Sequence, residues 1–154
     1  MRASATIDID RPIGDVFEYV SDPYNMETWV VGVSGVTLVD ADPSRVGARF
    51  ESDYTYSGRT VRMAYEVTAA DPPERYATRG EGPYPFAGEL TLEPTTGGTR
   101  VTNTVDAAAD GLFTSVTFTL FGPVVRRLMA RRLREELTSL RSELEGQAVT
   151  APTA

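Results

Sequence analysis

Cysteine, histidine and lysine are all absent from this chain of 154 residues. Without cysteine there is no disulfide, thiolate metal site, iron-sulfur cluster or thiol nucleophile. Without histidine the usual zinc sites, Ser-His-Asp triads and imidazole proton transfer are excluded as well. Chemistry is left to carboxylates, phenols, hydroxyls, amides and guanidinium groups. No Asp-rich loop has EF-hand spacing, so neither a metal nor any other cofactor is expected.

All 15 basic residues are arginine, set against 22 acidic ones, and the net charge is −7. A chain of that sign repels a phosphate backbone, so no nucleic-acid partner is expected. No apolar run approaches the ~18 to 20 residues of a membrane span, which argues against stable membrane insertion. Met1-Arg2-Ala3-Ser4 opens an alternating segment rather than the apolar stretch of a secretory leader, and a cytoplasmic location is the expectation. With 41% hydrophobic and 24% charged residues the composition is that of an ordinary globular chain. At this length folding buries about 69% of the unfolded surface, enough for one core.

Arg2 to Asp10 alternates strictly, with Ala3, Ala5, Ile7 and Ile9 on one face, as a half-buried strand does. Pro12 then suits a first helical turn, and Ile13, Val16, Phe17 and Val20 follow at helical spacing. Ser21-Asp22-Pro23 stops that helix and starts a second short one running toward Trp29. From Val33 to Ala107 short β-rich runs alternate with turn signals, among them Ser57-Gly58 and Pro94-Thr95-Thr96-Gly97-Gly98, and predict a meander of antiparallel strands. Gly111 to Glu145 carries Phe113, Val116, Leu120, Val124, Leu128, Leu133, Leu137, Leu140 and Leu144 at intervals of three to five, the stripe of one long amphipathic helix. Gly122-Pro123 predicts a kink or break, and Gly146 a stop. The expected organisation is a single domain over 1–146 and a disordered tail over 147–154.

Ile9-Asp10-Arg11-Pro12-Ile13-Gly14-Asp15-Val16-Phe17, then Val20-Ser21-Asp22-Pro23, Met26 and Trp29, resembles the opening of the START/Bet v 1-like helix-grip superfamily. Within it the resemblance is to the polyketide cyclase/dehydrase and lipid transport (SRPBCC) branch. The Gly47-Ala48-Arg49-Phe50 strand start and the leucine-rich terminal helix are similar too, and the order of elements covers residues 2 to 145. The resemblance implies an α+β fold: a curved antiparallel sheet of about six or seven strands wrapped around a long C-terminal helix, with two short helices after the first strand. It also implies an apolar cavity between sheet and helix.

Strand parity proposes what lines that space. Phe50, Ser52, Tyr54 and Tyr56 share a face, as do Val61, Met63, Tyr65 and Val67; Tyr76 and Thr78; Phe86, Gly88, Leu90 and Leu92; and Val101, Asn103 and Val105. From these, with Trp29 at one end and the helix stripe above, the candidate ligand-binding residues are Trp29, Tyr54, Tyr56, Met63, Tyr65, Tyr76, Phe86, Asn103, Phe113 and Leu120. Phenols join an apolar body to a polar tip, and an inward amide must find partners. Plain core packing explains the same residue types. Gly80 to Pro85 reads as a strand connection or a lid over an entrance. Arg126, Arg127, Arg131, Arg132 and Arg134 form the one basic cluster, a solvated helix face or a patch for anionic heads or a partner. Glu51, Asp53 and Glu66 fall on the outward parity, so no catalytic residue is assigned.

The leading expectation is a protein that encloses a small apolar or amphipathic ligand, such as a lipid, isoprenoid or polyketide-like compound. A cyclase or dehydratase working without metal or histidine is the first alternative, and a co-chaperone or ribosome-associated partner the second. A buried ionisable group beside the cavity favours the enzyme, and an exposed apolar patch over a filled core favours the partner role.

Overall fold

The computed structural model describes residues 2–82, 85–107 and 112–150, with side chains over the last stretch described for 122–146. Strand β1 (Arg2–Ile9) is followed by helix α1 (Ile13–Val20), a 3-10 turn (Pro23–Asn25) and the single turn α2 (Met26–Trp29). Six strands follow: β2 (Val33–Leu38), β3 (Arg49–Tyr56), β4 (Arg59–Asp71), β5 (Arg75–Glu81), β6 (Phe86–Pro94) and β7 (Thr99–Ala107). Helix α3 (Leu112–Thr150) ends the chain.

The seven strands form one antiparallel sheet in the order β1-β7-β6-β5-β4-β3-β2, a meander onto whose last strand β1 returns. Alternation in sequence becomes two faces in space. The outer face is a ladder of cross-strand ion pairs: Arg62 with Asp53 at 3.2 Å, Arg79 with Glu66 at 3.1 Å, Arg75 with Glu89 at 2.8 Å and Arg100 with Asp8 at 2.9 Å. Each exposed pair contributes only about 0 to 1 kcal/mol, so the ladder keeps the face wet and in register rather than supplying much stability.

The inner face holds the core. Ile9, Phe50, Met63, Val67, Leu92 and Val101 are buried there against Val16, Phe17 and Val20 of α1 and Leu133, Leu137, Leu140 and Leu144 of α3. The far part of α3 is tied to the corner between β1 and α1, where Arg11 donates to the Leu144 carbonyl at 2.8 Å and the Asp10 N–H donates to Glu145 at 3.0 Å. This is the helix-grip α+β architecture.

Three expectations about α3 need correction. The helix is not broken in two at Gly122-Pro123, and it continues past the expected stop at Gly146 to Thr150. Val124 and Leu128 are exposed instead of joining the core stripe. Leu128 and Leu133 are five residues apart, about 500° of helical turn, so the two lie some 140° apart around the axis. Intervals of three to five in sequence mixed two faces of one helix. Glu136, three residues after Leu133 and four before Leu140, occupies the buried face in their place.

Candidate functional site

Burial along the inner face is graded. Where α1 and the far half of α3 cover the sheet, Val67, Tyr76, Leu90, Leu92 and Val101 are closed off. At the other end, Tyr54, Val61, Phe86, Gly88 and Val105 share that face and remain half-buried. The Phe86 ring lies across Gly80, where a Cβ would collide with it. The inner face therefore has a packed end and an open end.

Two of the candidate residues, Tyr65 and Phe86, meet on this face. The Tyr65 ring stacks on Phe50 with centroids 4.7 Å apart and meets the edge of Phe86 at 6.0 Å. Its hydroxyl is 2.9 Å from that of Ser52, which is fully buried. Burial raises the Tyr65 pKa above the ordinary phenol value, and the Ser52 hydrogen bond opposes that only in part. Met63 is buried beside them. Tyr76 belongs to the packed end: its ring meets Phe17 edge-on at 6.3 Å, its hydroxyl donates to the Pro43 carbonyl at 3.2 Å, and burial pushes its pKa far up.

Asn103 sits between Ala5 of β1 and Leu90 of β6, and is 7% exposed. Its amide makes no hydrogen bond to any described residue. The only fully enclosed polar side-chain atom without a partner among the described residues is Nε1 of Trp29. The amide of Asn103 is therefore not fully enclosed.

A second cluster stands at the open end. Arg132 on α3 places its guanidinium 5.4 Å from the Tyr54 ring centroid and 5.8 Å from that of Tyr56, and donates to the Val31 carbonyl at 3.0 Å. One turn along, Glu136 accepts from the Val31 N–H at 3.2 Å and lies 3.6 Å from Arg132. Burial pushes the Glu136 pKa up to about 7, against the opposing pull of Arg132 and the Val31 N–H. Tyr54 is raised chiefly by burial, with Arg132 pulling it down. Tyr56 shares the inner parity but is exposed at the sheet margin.

Neither Glu136 nor a cation beside an inner tyrosine was among the expectations from sequence. The signal for Glu136 was its spacing from Leu133 and Leu140. The outward parity of Glu51, Asp53 and Glu66 holds. The side chains of Phe113 and Leu120 lie outside the described residues, as do Pro83 and Tyr84 of the expected lid. No group of metal-ligating side chains occurs among the described residues, and no described helix is long and apolar enough to cross a membrane.

Comparison with known proteins follows the fold. TTHA0849 from Thermus thermophilus superposes with a TM-score of 0.76 at 19% identity, covering 98% of this chain and 100% of that one. SA2116, a protein of unknown function from Staphylococcus aureus, gives 0.77 at 11% identity over 97% of this chain and 96% of its own. The di-domain ARO/CYC StfQ of the steffimycin biosynthetic pathway gives 0.73 at 12% identity, covering 97% of this chain and 52% of StfQ. At these identities the likeness is one of fold. No protein with a curated description matches by sequence. The family model described as polyketide cyclase / dehydrase and lipid transport matches residues 1–145, and the chain belongs to that family.

Proposed function

We propose that the protein binds a small apolar or amphipathic ligand, of lipid, isoprenoid or polyketide-like character, between the open end of the inner sheet face and α3. The observation that carries this reading is Asn103, a buried amide with no described partner, among half-buried Phe86, Gly88 and Val105. Because that amide is not fully enclosed, it is open to a water or to a ligand oxygen, either of which satisfies it. Apolar walls with few polar groups are the usual make-up of a small-molecule site. Membership of a family whose description includes lipid transport supports the same reading.

The test is native mass spectrometry of protein purified without detergent, followed by reloading of stripped protein with the extracted compound. A co-purifying apolar species that Asn103→Leu protein no longer retains is the expected result. Empty protein that rejects fatty acids, isoprenoids and aromatic polyketides alike would overturn the reading.

One observation favours the cyclase or dehydratase alternative: a buried carboxyl with a pKa of about 7 stands in one cluster with Arg132 and Tyr54. A group titrating near neutrality is suited to passing a proton in either direction. Turnover of a polyketide precursor by the parent protein, lost in Glu136→Gln with ligand affinity retained, would establish that reading over simple binding.

A further inference from the structure

Charge is distributed unevenly in this acidic chain. The 24 residues from Gly111 to Arg134 contain five arginines and no acidic residue, although the whole chain carries −7. Steps of three and four along α3 put Val124, Arg127, Leu128, Arg131, Arg134, Glu135 and Thr138 on one side of the helix. Val124 is 57% and Leu128 60% exposed. Arg127 and Arg134 are exposed and make no ion pair with any described residue, while Arg131 is 3.2 Å from Glu135. A shallow open groove between Arg131, Arg134, Glu135 and Thr138 continues this face.

The face does not stop at the helix. Leu128 is one turn from Arg132, whose guanidinium lies over the ring of Tyr56 and bonds the carbonyl of Val31. Those two residues are 53% and 46% exposed. Arg59, directly opposite Tyr56 in the β3-β4 hairpin, adds a further exposed cation. The Val31 turn and the β3-β4 hairpin thus meet α3 at Arg132, one turn from exposed Leu128, beside the open end of the inner face where Tyr54 sits.

We infer that this surface docks the protein onto an anionic lipid bilayer. The charge is complementary to anionic headgroups, and each arginine near such a surface adds attraction within a Debye length. Tyrosine and arginine both combine an apolar body with a polar end, which suits the headgroup level of a membrane. Isolated valine and leucine side chains add shallow apolar insertion without a spanning helix. The position beside the open end of the inner face lets a docked molecule exchange an apolar ligand with the bilayer. Docking itself does not depend on the ligand-binding reading, since vesicle attachment is measured with no ligand present.

The experiment is flotation of the full chain with vesicles of phosphatidylglycerol or of phosphatidylcholine. The expected result is attachment to phosphatidylglycerol alone, weakened at least about tenfold between about 0.05 M and about 0.5 M salt. Arg127→Glu/Arg134→Glu and, separately, Leu128→Asp weaken attachment to a similar degree, with circular dichroism spectra and unfolding midpoints unchanged. Arg100→Glu, on the outer sheet face, leaves it intact. Absence of attachment, equal attachment to both lipids, or attachment unaffected by the face variants would overturn the inference. A stable dimer in light scattering that Leu128→Asp dissociates would assign the face to a second copy and overturn it equally.

Discussion

The carboxylate of Glu136 accepts a hydrogen bond from the backbone N–H of Val31 at 3.2 Å, joining α3 to the turn after α2 across 105 positions of sequence. The neighbouring Arg132 holds the carbonyl of the same residue, so one peptide segment is clasped from both sides. Two interactions that favour the ionised carboxylate are outweighed by burial, and the pKa rises from 4.5 to about 7. For a carboxyl raised in the folded state, the folded protein holds the proton more tightly than the unfolded chain. Stability from this group is therefore greatest below about 4.5 and falls as pH rises to about 7, by about 3 kcal/mol in order of magnitude. Urea titrations of the parent and Glu136→Gln from about pH 5 to about pH 8 check this. The parent is expected to lose stability relative to the variant across that window, and parallel profiles would show that Glu136 is ionised throughout.

Leu128 and Leu137 occupy the same helix and the same sequence stripe, yet Leu128 is 60% exposed and Leu137 fully buried. Leu137→Ala is expected to cost about 2 to 5 kcal/mol through lost burial and the cavity it leaves. Leu128→Ala is expected to change stability by less than about 0.5 kcal/mol. Equal losses in denaturant titration would mean that Leu128 is covered, which would also remove a member of the docking face.

How far the sequence was legible follows from such pairs. Strand parity depends on a period of two and survives local irregularity, so the inner positions of Phe50, Ser52, Met63 and Val101 and the outward ones of Asp53 and Arg62 could be read directly. The helix period is not a whole number, and a single five-residue step between Leu128 and Leu133 hid a change of face. Tertiary placement was illegible for another reason. Arg132 read only as one of a basic cluster, and the contact of Glu136 with Val31, 105 residues away, leaves no mark in either local pattern. The polar contacts at the open end therefore could not be read from sequence, whereas strand parity placed Tyr54 on the inner face.

Gly32 follows that clasped residue with φ at +84°, and a Cβ there would lie 2.6 Å from the Thr55 carbonyl oxygen and 3.3 Å from the Tyr54 ring. The first obstacle is backbone, and it is held by the Thr55 N–H donating to the Gly32 carbonyl at 2.9 Å. Gly32→Ala must both strain the left-handed conformation and separate these strands. A loss of about 1 to 3 kcal/mol is expected, with Tyr54 displaced. A variant as stable as the parent, with unchanged tyrosine fluorescence, would contradict the tight approach.

Tyr65 and Asn103 both present polar atoms on the inner face, but only one is satisfied within the protein, and that difference separates structure from function. Tyr65→Phe leaves the Ser52 hydroxyl, fully buried and bonded to Tyr65 at 2.9 Å, without its partner. A loss of about 1 to 3 kcal/mol is expected, with modest change in ligand retention. Asn103→Leu removes an amide that no described residue satisfies and exchanges it for an apolar group of similar volume. Stability is expected to hold or rise, because no protein hydrogen bond is lost and an apolar group takes a largely buried position. Ligand retention in native mass spectrometry is expected to fall, because the oxygen of the ligand loses its donor. Opposite signs for stability and retention in one variant cannot arise from general damage to the fold. A destabilised Asn103→Leu protein that still holds its ligand would show that the amide serves packing, and the reading that rests on it would fail.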